Sequence, residues 1–269
     1  MKISISALSI AYGLTSEALR YYEEKELLAP DRTGAGGHRR FTIEDVQRLG
    51  IIKSLQRQGF SLDEVREIMT CCSREHLIAM MDEKRAQFSR EITLSRAIHT
   101  RLTASTDLLR DSDRLLMKPR LCQGGAAYLV DFDSVAALWK SVPAMPLLRD
   151  LIEALPLTSY CTIVPLARLR GEDVPMRTGV VAPAEYLTLI RADFSQMRVS
   201  AGPRVVRTLF ELRPPAGRTT EPALRAAQAF IAREGLTPVS DGYTRQHTWY
   251  TDEHGRQCHF AELFIPVAE

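Results

Sequence analysis

Residues 14–23, LTSEALRYYE, decide the N-terminal fold. Thr15 can cap a helix that begins at Ser16, and Glu17 lies in the first turn, where the helix dipole favours an anion. The apolar residues of the stretch share one face of that helix, namely Ala18, Leu19 and Tyr22. Arg20 and Tyr21 should therefore project outward.

A shorter helix precedes this one and completes a helix-turn-helix. Ser4 can cap it and Gly13 can end it, so that only residues 12–15 separate the two helices. With that spacing, the second helix of the pair can enter the major groove of DNA.

The next segment predicts a wing and two more helices. Residues 31–41 combine a glycine-rich tip with a basic strand, which is typical of a β-hairpin. Thr42 caps a third helix, with Asp45 in a capping-box position, and residues 61–69 make a short fourth helix. Residues 32–57 hold six Lys or Arg against two Asp or Glu, whereas the whole chain carries only +2. Such a local positive surface is expected of a phosphate-binding face.

Residues 73–117 contain no proline or glycine and predict one long helix. Its apolar residues follow a seven-residue series typical of a dimerising coiled coil, with Met81, Phe88, Leu102, Leu109 and Leu116 on one seam and Leu77 and Ile98 on its partner. Polar residues interrupt the seam. A single amphipathic helix that packs on its own chain is therefore an open alternative.

The remainder predicts an antiparallel α+β domain. Short β-type runs occupy 126–132, 160–164, 179–181, 186–191, 205–213, 246–251 and 259–267, and helical patterns occupy 134–155 and 221–234. Residues 119–269 hold sixteen cations and sixteen anions, which argues against a second nucleic-acid surface. We predict a winged helix-turn-helix at 1–72, a dimerisation helix at 73–118 and a ligand-binding domain at 119–269.

Composition sets further limits. A chain of 269 residues that is 45% hydrophobic and 25% charged suits two globular domains and a connector. It begins without an apolar signal region and has no run of 18 apolar residues, which predicts a cytoplasmic protein without a membrane partner. Five cysteines form no regular framework and are expected to be reduced thiols; no cofactor is expected.

The N-terminal motifs resemble the MerR family of transcription regulators. The resemblance rests on residues 14–23, Leu27-Leu28-Ala29-Pro30, Gly37-His38-Arg39-Arg40-Phe41 and residues 59–65. It implies a homodimer formed through antiparallel coiled coils, which binds a palindrome in double-stranded promoter DNA. Inducer binding is then expected to bend and undertwist the DNA, so that RNA polymerase can read a promoter with a long spacer.

The resemblance also implies DNA contacts. By matching positions, Arg20 and Tyr21 belong to the recognition helix, Arg39 to the wing, and Lys53 and Arg57 to backbone clamps. The full predicted set is Thr15, Ser16, Glu17, Arg20, Tyr21, His38, Arg39, Arg40, Lys53 and Arg57. His38 departs from the aromatic residue that the family usually carries in the wing.

The C-terminal domain is similar to GyrI-like effector-binding domains of multidrug-responsive MerR proteins. The similarity rests on Ala201-Gly202-Pro203 before a strand, on the helix at 221–234 and on the final run at 261–267. It implies a pocket for aromatic, often cationic, drug-like compounds with a strand glutamate at its floor.

Glu262 fits that role, because a carboxylate in an apolar strand needs a cationic partner. The predicted ligand residues are Glu262, Phe260, Trp249, Tyr186, Tyr243, His247, Trp139 and Tyr160, an aromatic wall suited to a lipophilic cation. A hairpin turn at 252–255 would place Trp249 opposite Cys258. The open alternative is a structural salt bridge from Glu262 to Arg245, which the same register would set opposite each other.

Two rival functions remain. Cys71, Cys72 and Cys122 could make the chain a thiol- or metal-responsive regulator, although about 150 residues follow the helix that a metal site would not need. His247, Glu262 and Cys258 could support catalysis, but no catalytic spacing accompanies them. We therefore predict a ligand-responsive regulator, an activator in function and not an enzyme.

Overall fold

A computed structural model describes residues 2–33, 38–132, 146–212 and 220–269. They form two compact units, one ending at Ile92 and the other beginning at Thr93, so the boundary falls inside the longest helix. The three predicted domain ranges stay a prediction. Within the described ranges, no helix is long and apolar enough to cross a membrane.

The N-terminal unit contains the predicted helix-turn-helix and wing. Its elements are β1 (Ile3–Ser4), α1 (Ile5–Tyr12), α2 (Ser16–Glu24), β2 (Asp31–Thr33), β3 (His38–Phe41), α3 (Ile43–Arg57) and α4 (Leu62–Thr70). Ser4 and Thr15 accept hydrogen bonds as N-caps, and Gly13 ends α1 with φ 59°. Thr42 and Asp45 form the predicted capping box. These capping interactions join residues only a few positions apart, so they can be predicted from the sequence.

The core of this unit joins all four helices to the wing. β2 and β3 pair antiparallel, with Arg32 opposite Arg39, and β1 pairs with the other edge of β3. The tip of the predicted wing, residues 34–37, lies outside the described residues. The buried side chains under these elements include Leu8, Leu19, Tyr22, Phe41, Leu49, Ile52 and Val65.

The long helix α5 spans Arg74–Arg110 and is shorter than the predicted 73–117. It breaks at Asp111, and a short helix α6 (Ser112–Leu115) follows. The backbone N–H of Met117 then donates to the carbonyl oxygen of Leu209 at 2.8 Å. The segment that follows α6 is thus hydrogen-bonded to a strand of the C-terminal sheet. Leu116, predicted as a seam residue, forms an isolated bridge to Leu209.

The C-terminal unit is built on an antiparallel sheet. Its strands are β4 (Arg120–Gln123), β5 (Ala126–Asp131), β6 (Ser159–Val164), β7 (Arg177–Pro183), β8 (Arg198–Ala201), β9 (Arg204–Leu212), β10 (Thr237–Pro238), β11 (Gly242–Thr251) and β12 (Gln257–Ala268). The order in the sheet is β4-β9-β12-β11-β6-β7-β5-β8, with β10 paired to β12. Besides the end of α5, α6 and two 3-10 helices (Ala184–Leu189 and Phe194–Gln196), its described residues include α7 (Pro146–Glu153), α8 (Leu166–Leu169) and α9 (Glu221–Arg233).

The sheet contains a repeated topology that the sequence did not reveal. When the short elements α8 and β10 are set aside, the order strand, helix, strand, strand occurs as β5-α7-β6-β7 and again as β9-α9-β11-β12. The two copies meet edge to edge where Gly242 and Tyr243 of β11 pair with Val164 and Ile163 of β6. The resulting order, β5-β7-β6 and then β11-β12-β9, has an internal two-fold relation.

One predicted strand is wrong, and one predicted helix is described only in part. The predicted strand at 186–191 is instead a 3-10 helix, Ala184–Leu189, because the chain turns after Pro183 and packs Tyr186 and Ile190 into a core cluster. Of the helix predicted at 134–155, α7 is the part that lies within the described residues.

Candidate functional site

The exposed side of α2 carries the predicted recognition residues. Arg20 is exposed and Tyr21 is 46% exposed, while Tyr22 is buried and its hydroxyl donates to Gln56 Oε1 at 3.2 Å. The ammonium of Lys25 lies 5.6 Å from the Tyr21 ring centroid. In the described part of the chain, Arg20 has no ion-pair partner within 4.0 Å, so its guanidinium is free to meet a phosphate or a base edge.

Glu23 ties the wing to this helix. Its carboxylate accepts from Arg32 at 2.8 Å and from Arg39 at 2.5 Å. Partial burial would raise the pKa of Glu23, but the hydrogen bonds and charges of the two arginines lower it below its usual value. Arg39, predicted as a wing contact, is thus held in place before any DNA is present. His38 is exposed and Arg40 is half-buried on the same strand.

Lys53 has a structural partner as well. Its ammonium donates to the carbonyl oxygen of Tyr12 at 2.7 Å, which satisfies the C-terminal end of α1. Arg57 is exposed one turn further along α3. Lys53 and Arg57 line a surface recess together with residues at the end of α1. The predicted clamps are therefore neighbours, although only Arg57 is free of a described partner.

Glu262 lies at the centre of the C-terminal unit and its side chain is fully buried. Oε1 accepts from Arg120 at 2.7 Å, and Oε2 accepts from Arg207 at 2.5 Å and from His247 at 3.1 Å. Burial would raise the pKa of Glu262, but His247 and Arg207 lower it to about 2. The carboxylate is ionised and fully partnered.

His247 completes this cluster as a neutral ring. Burial lowers its pKa, although the neighbouring Glu262 opposes that effect. Nε2 donates to Glu262, and Nδ1 lies 3.2 Å from the Ser105 hydroxyl, which can donate to it. The two partners define the tautomer, with the proton on Nε2.

The hairpin register sets Arg245 directly opposite Glu262, as the sequence predicts, but no salt bridge joins them. Instead, the Arg245 guanidinium carbon lies 5.1 Å from the Phe264 ring centroid. The structural role that the sequence left open for Glu262 is therefore filled by Arg120 and Arg207.

A cavity of about 330 Å³ opens beside this cluster. Side chains from both halves of the sheet line it, chiefly Glu185, Arg207, Tyr243, Arg245 and Phe264. Gly124 and Gly125 form part of the wall. A Cβ at Gly124 would lie 2.0 Å from the Gly202 carbonyl oxygen, so glycine is required where these two turns meet.

Phe264 is the aromatic centre of the cavity wall. The Tyr243 ring stacks on it with centroids 5.0 Å apart and planes 3° apart. Arg207 lies 5.0 Å from the same ring centroid. Burial raises the pKa of Tyr243 to about 12, so its hydroxyl stays protonated at neutral pH and can donate a hydrogen bond.

Trp249 is not beside Glu262. The predicted register fails near the turn, because a β-bulge between Gln246 and Thr248 pairs Trp249 with His259 instead of Cys258. The two rings stack 4.2 Å apart, and Trp249 is 57% exposed. Since alternate residues of a strand face opposite sides, the shift moves Trp249 off the face of Phe260 and Glu262.

The other predicted ligand residues are dispersed. Tyr160, His247 and Trp249 line a second recess of about 170 Å³. Phe260 stacks on Tyr250, and Tyr186 is buried in a core cluster. Trp139 lies outside the described residues. Of the predicted ligand residues, Tyr243 lines the 330 Å³ cavity. Glu185 also lines it but was not predicted, because it follows the end of a strand and belongs to no recognisable sequence motif.

The cysteines are divided between the two units. Cys71 is exposed and Cys72 half-buried after α4, whereas Cys122 lies on β4 of the other unit and Cys161 and Cys258 are buried. Across residues that the structure describes, no group of three or more His, Cys, Asp or Glu side chains is placed to hold a metal ion.

The family models and the sequence relatives match the N-terminal part of the chain. Residues 3–71 match the family model "MerR HTH family regulatory protein", and residues 46–104 match "MerR, DNA binding". The regulator CueR of Yersinia pestis is 37% identical over 67 residues, which are 25% of this chain and 48% of CueR. This chain therefore spans about half of the length of CueR.

A second relative is matched over most of its length. The mercuric resistance operon regulatory protein of Pseudomonas fluorescens is 35% identical over 107 residues, which cover 36% of this chain and 74% of that protein. Among solved structures, a cryo-EM structure of an EcmrR–DNA complex matches 99% of this chain and 100% of that chain, at 14% identity and a TM-score of 0.38.

Proposed function

Because the chain belongs to the MerR family of helix-turn-helix transcription regulators, we propose that it is a ligand-responsive regulator that activates transcription. It binds a palindromic promoter element as a homodimer and distorts the DNA when a small molecule is bound. RNA polymerase then reads the realigned promoter. The exposed Arg20 and Tyr21 of α2, and the wing arginine Arg39 held by Glu23, support the DNA-binding half of this proposal.

The observation that carries the ligand-binding half is the 330 Å³ cavity in the second unit. It is concave, combines aromatic and charged side chains, and lies near the lower end of the size range of small-molecule sites, about 300–1,000 Å³. A GyrI-like fold for this unit is supported by the Gly202–Pro203 turn before β9, by α9 and by the final β11–β12 hairpin. A pocket on a DNA-binding chain is best explained as a sensor.

The homodimer is supported by α5. At about 1.5 Å per residue, its 37 residues extend about 55 Å, and none of them is buried. Large apolar side chains on it stay exposed, among them Ile78, Met81, Phe88, Ile92, Leu94, Leu102 and Leu109. A second copy of the helix would cover them.

The structure changes what Glu262 implies about the charge of the ligand. The sequence predicts a lipophilic cation because Glu262 needs a cationic partner. In the structure Arg120 and Arg207 already supply that charge, so Glu262 no longer supports a cation.

Selection from a random duplex pool by the full chain tests the DNA-binding half. We expect a palindromic consensus, and in vitro transcription from a promoter that carries it should rise when an effector is added. If the selected sequences contained no symmetric site, a dimeric regulator would be contradicted. If transcription did not change with any ligand that binds the cavity, sensing would be contradicted.

A further inference from the structure

Cationic side chains outnumber carboxylates around the cavity. Arg207 and Arg245 line it, and two more arginines interact with its residues. Arg120 shares Glu262 with Arg207, and Arg101, which lines the second recess, feels the charge of Arg245. Within the described ranges, the carboxylates that face them are Glu185 and Glu262. His247 is neutral and adds no charge, so the cluster carries two uncompensated positive charges.

Glu262 cannot neutralise this excess, because its two oxygens are already taken by Arg120, Arg207 and His247. Glu185 sits at the exposed rim of the cavity and accepts a hydrogen bond from Tyr186. It forms no salt bridge with a described arginine and acts on Arg101 only at longer range, so Arg101 and Arg245 have no carboxylate in contact among the described residues.

Arg245 and Arg101 are the two arginines of this group without a carboxylate partner among the described residues. Among the described residues, no carboxylate lies within 4.0 Å of either guanidinium, and each has a buried N–H group without a hydrogen-bond acceptor, Arg245 Nε and Arg101 Nη1. Burial, and then the charge of Arg245, lower the pKa of Arg101 to about 10, so both stay cationic at neutral pH. Buried donors without acceptors are costly and call for a partner.

Arg207 also has a buried donor without an acceptor, and it lies on β9, whereas Arg245 lies on β11 at the other edge of the strand that carries Phe264. One of its amino groups binds Glu262, but its Nε is buried and unpaired. Arg207 and Arg245 thus both lie against the Phe264 ring, at 5.0 and 5.1 Å from its centroid, and both present unused donors.

We infer that the cavity binds a small organic anion, an aromatic carboxylate. The planar guanidinium matches a carboxylate through paired hydrogen bonds, and Tyr243 adds a protonated hydroxyl. The aromatic body of the ligand packs on Phe264 and Tyr243. This inference rests on the proposed effector-binding role of the cavity, and it specifies that role as recognition of an anion.

Three probes of one shape and different charge test it: 2-naphthoate, neutral 2-naphthamide and cationic 2-naphthylmethylammonium. Isothermal titration of the full chain should show naphthoate binding at least about tenfold tighter than the other two, the scale of one charge-assisted contact. Arg245→Gln should weaken naphthoate binding by about tenfold or more. Arg225→Gln, which removes an exposed arginine from α9, should leave it unchanged.

Glu185→Gln provides the opposite test at the rim. Removing this carboxylate should tighten naphthoate binding, whereas a cation-binding cavity would lose affinity for the naphthylmethylammonium probe. If Arg245→Gln unfolds the unit, Arg245→Lys, which keeps the charge and loses the planar fork, should still weaken naphthoate binding.

Tighter binding of the cation, unchanged naphthoate affinity in both Arg245 variants, or no binding of any probe would each overturn the inference. A cation that binds and activates transcription would overturn only the charge of the ligand and would leave the proposed function standing. If naphthoate binds as expected but does not change the transcription rate, the anion site would be supported and the sensing role contradicted.

Discussion

Arg207 donates to Glu262 Oε2 at 2.5 Å, and this contact joins neighbouring strands β9 and β12 inside the C-terminal unit. Glu262→Gln keeps the shape and removes the charge, leaving Arg207 and Arg120 without a counter-ion. We expect the free energy of unfolding to fall by about 3 kcal/mol, the scale of breaking a buried pair. Chemical denaturation of the full chain measures it, with Glu253→Gln in the exposed turn as the matched control. A variant as stable as wild type would contradict this role.

The same carboxylate predicts an acid transition. Its pKa in the folded chain is about 2, below the ordinary 4.5. The ion pairs therefore contribute their full stability above about pH 4.5, and that contribution is lost as the pH falls towards 2. Melting temperatures measured from pH 6 to pH 3 should fall more steeply for wild type than for Glu262→Gln. Parallel curves would show that another group governs acid unfolding.

Arg20→Ala and Arg39→Ala should each weaken binding to the selected DNA, by about 1–3 kcal/mol, while leaving the chain folded. Arg20 has no described ion-pair partner to lose, whereas loss of Arg39 leaves Glu23 with Arg32 alone and loosens the wing, so its effect should be at least as large. Fluorescence anisotropy at two salt concentrations measures both. Arg85→Ala on α5 removes an exposed charge outside the predicted DNA contacts and serves as the control. If both variants bound DNA with wild-type affinity, the assignment of α2 and the wing as DNA-contacting elements would be wrong.

Leu102 is 61% exposed on α5, so a charge at this position should not disturb the folded chain. Leu102→Asp should produce monomers, because it places a carboxylate in the predicted dimer seam. Light scattering after size exclusion reports the mass. Thr103→Asp, about 100° round the helix, should remain dimeric. If Leu102→Asp stays dimeric, the seam lies elsewhere.

The thiol- or metal-responsive alternative predicts that cysteines control DNA affinity. We expect the opposite: Cys71→Ser, Cys72→Ser and Cys122→Ser combined should bind DNA, and respond to a cavity ligand, as wild type does. Anisotropy with and without a thiol-blocking reagent checks this. A response to the reagent that the triple variant loses would revive the alternative.

The amino-acid sequence by itself determined the N-terminal fold. Ser4, Thr15 and the Thr42–Asp45 capping box act on backbone groups three residues away, and Gly13 supplies a left-handed turn. Such interactions need no knowledge of distant parts of the chain. The position of Arg245 opposite Glu262 was also predicted, but in the structure this register depends on the bulge between Gln246 and Thr248 and is not a local property of the turn.

Tertiary structure alone decided the candidate ligand site. The partners of Glu262 come from positions 142 and 55 residues away, and the bulge near His247 depends on how β11 fits its neighbours. Neither has a local signature, because strand order brings these residues together only after the two sheet halves join. For that reason the sequence could show that Glu262 needs a cation, while only the fold could show that the chain provides it.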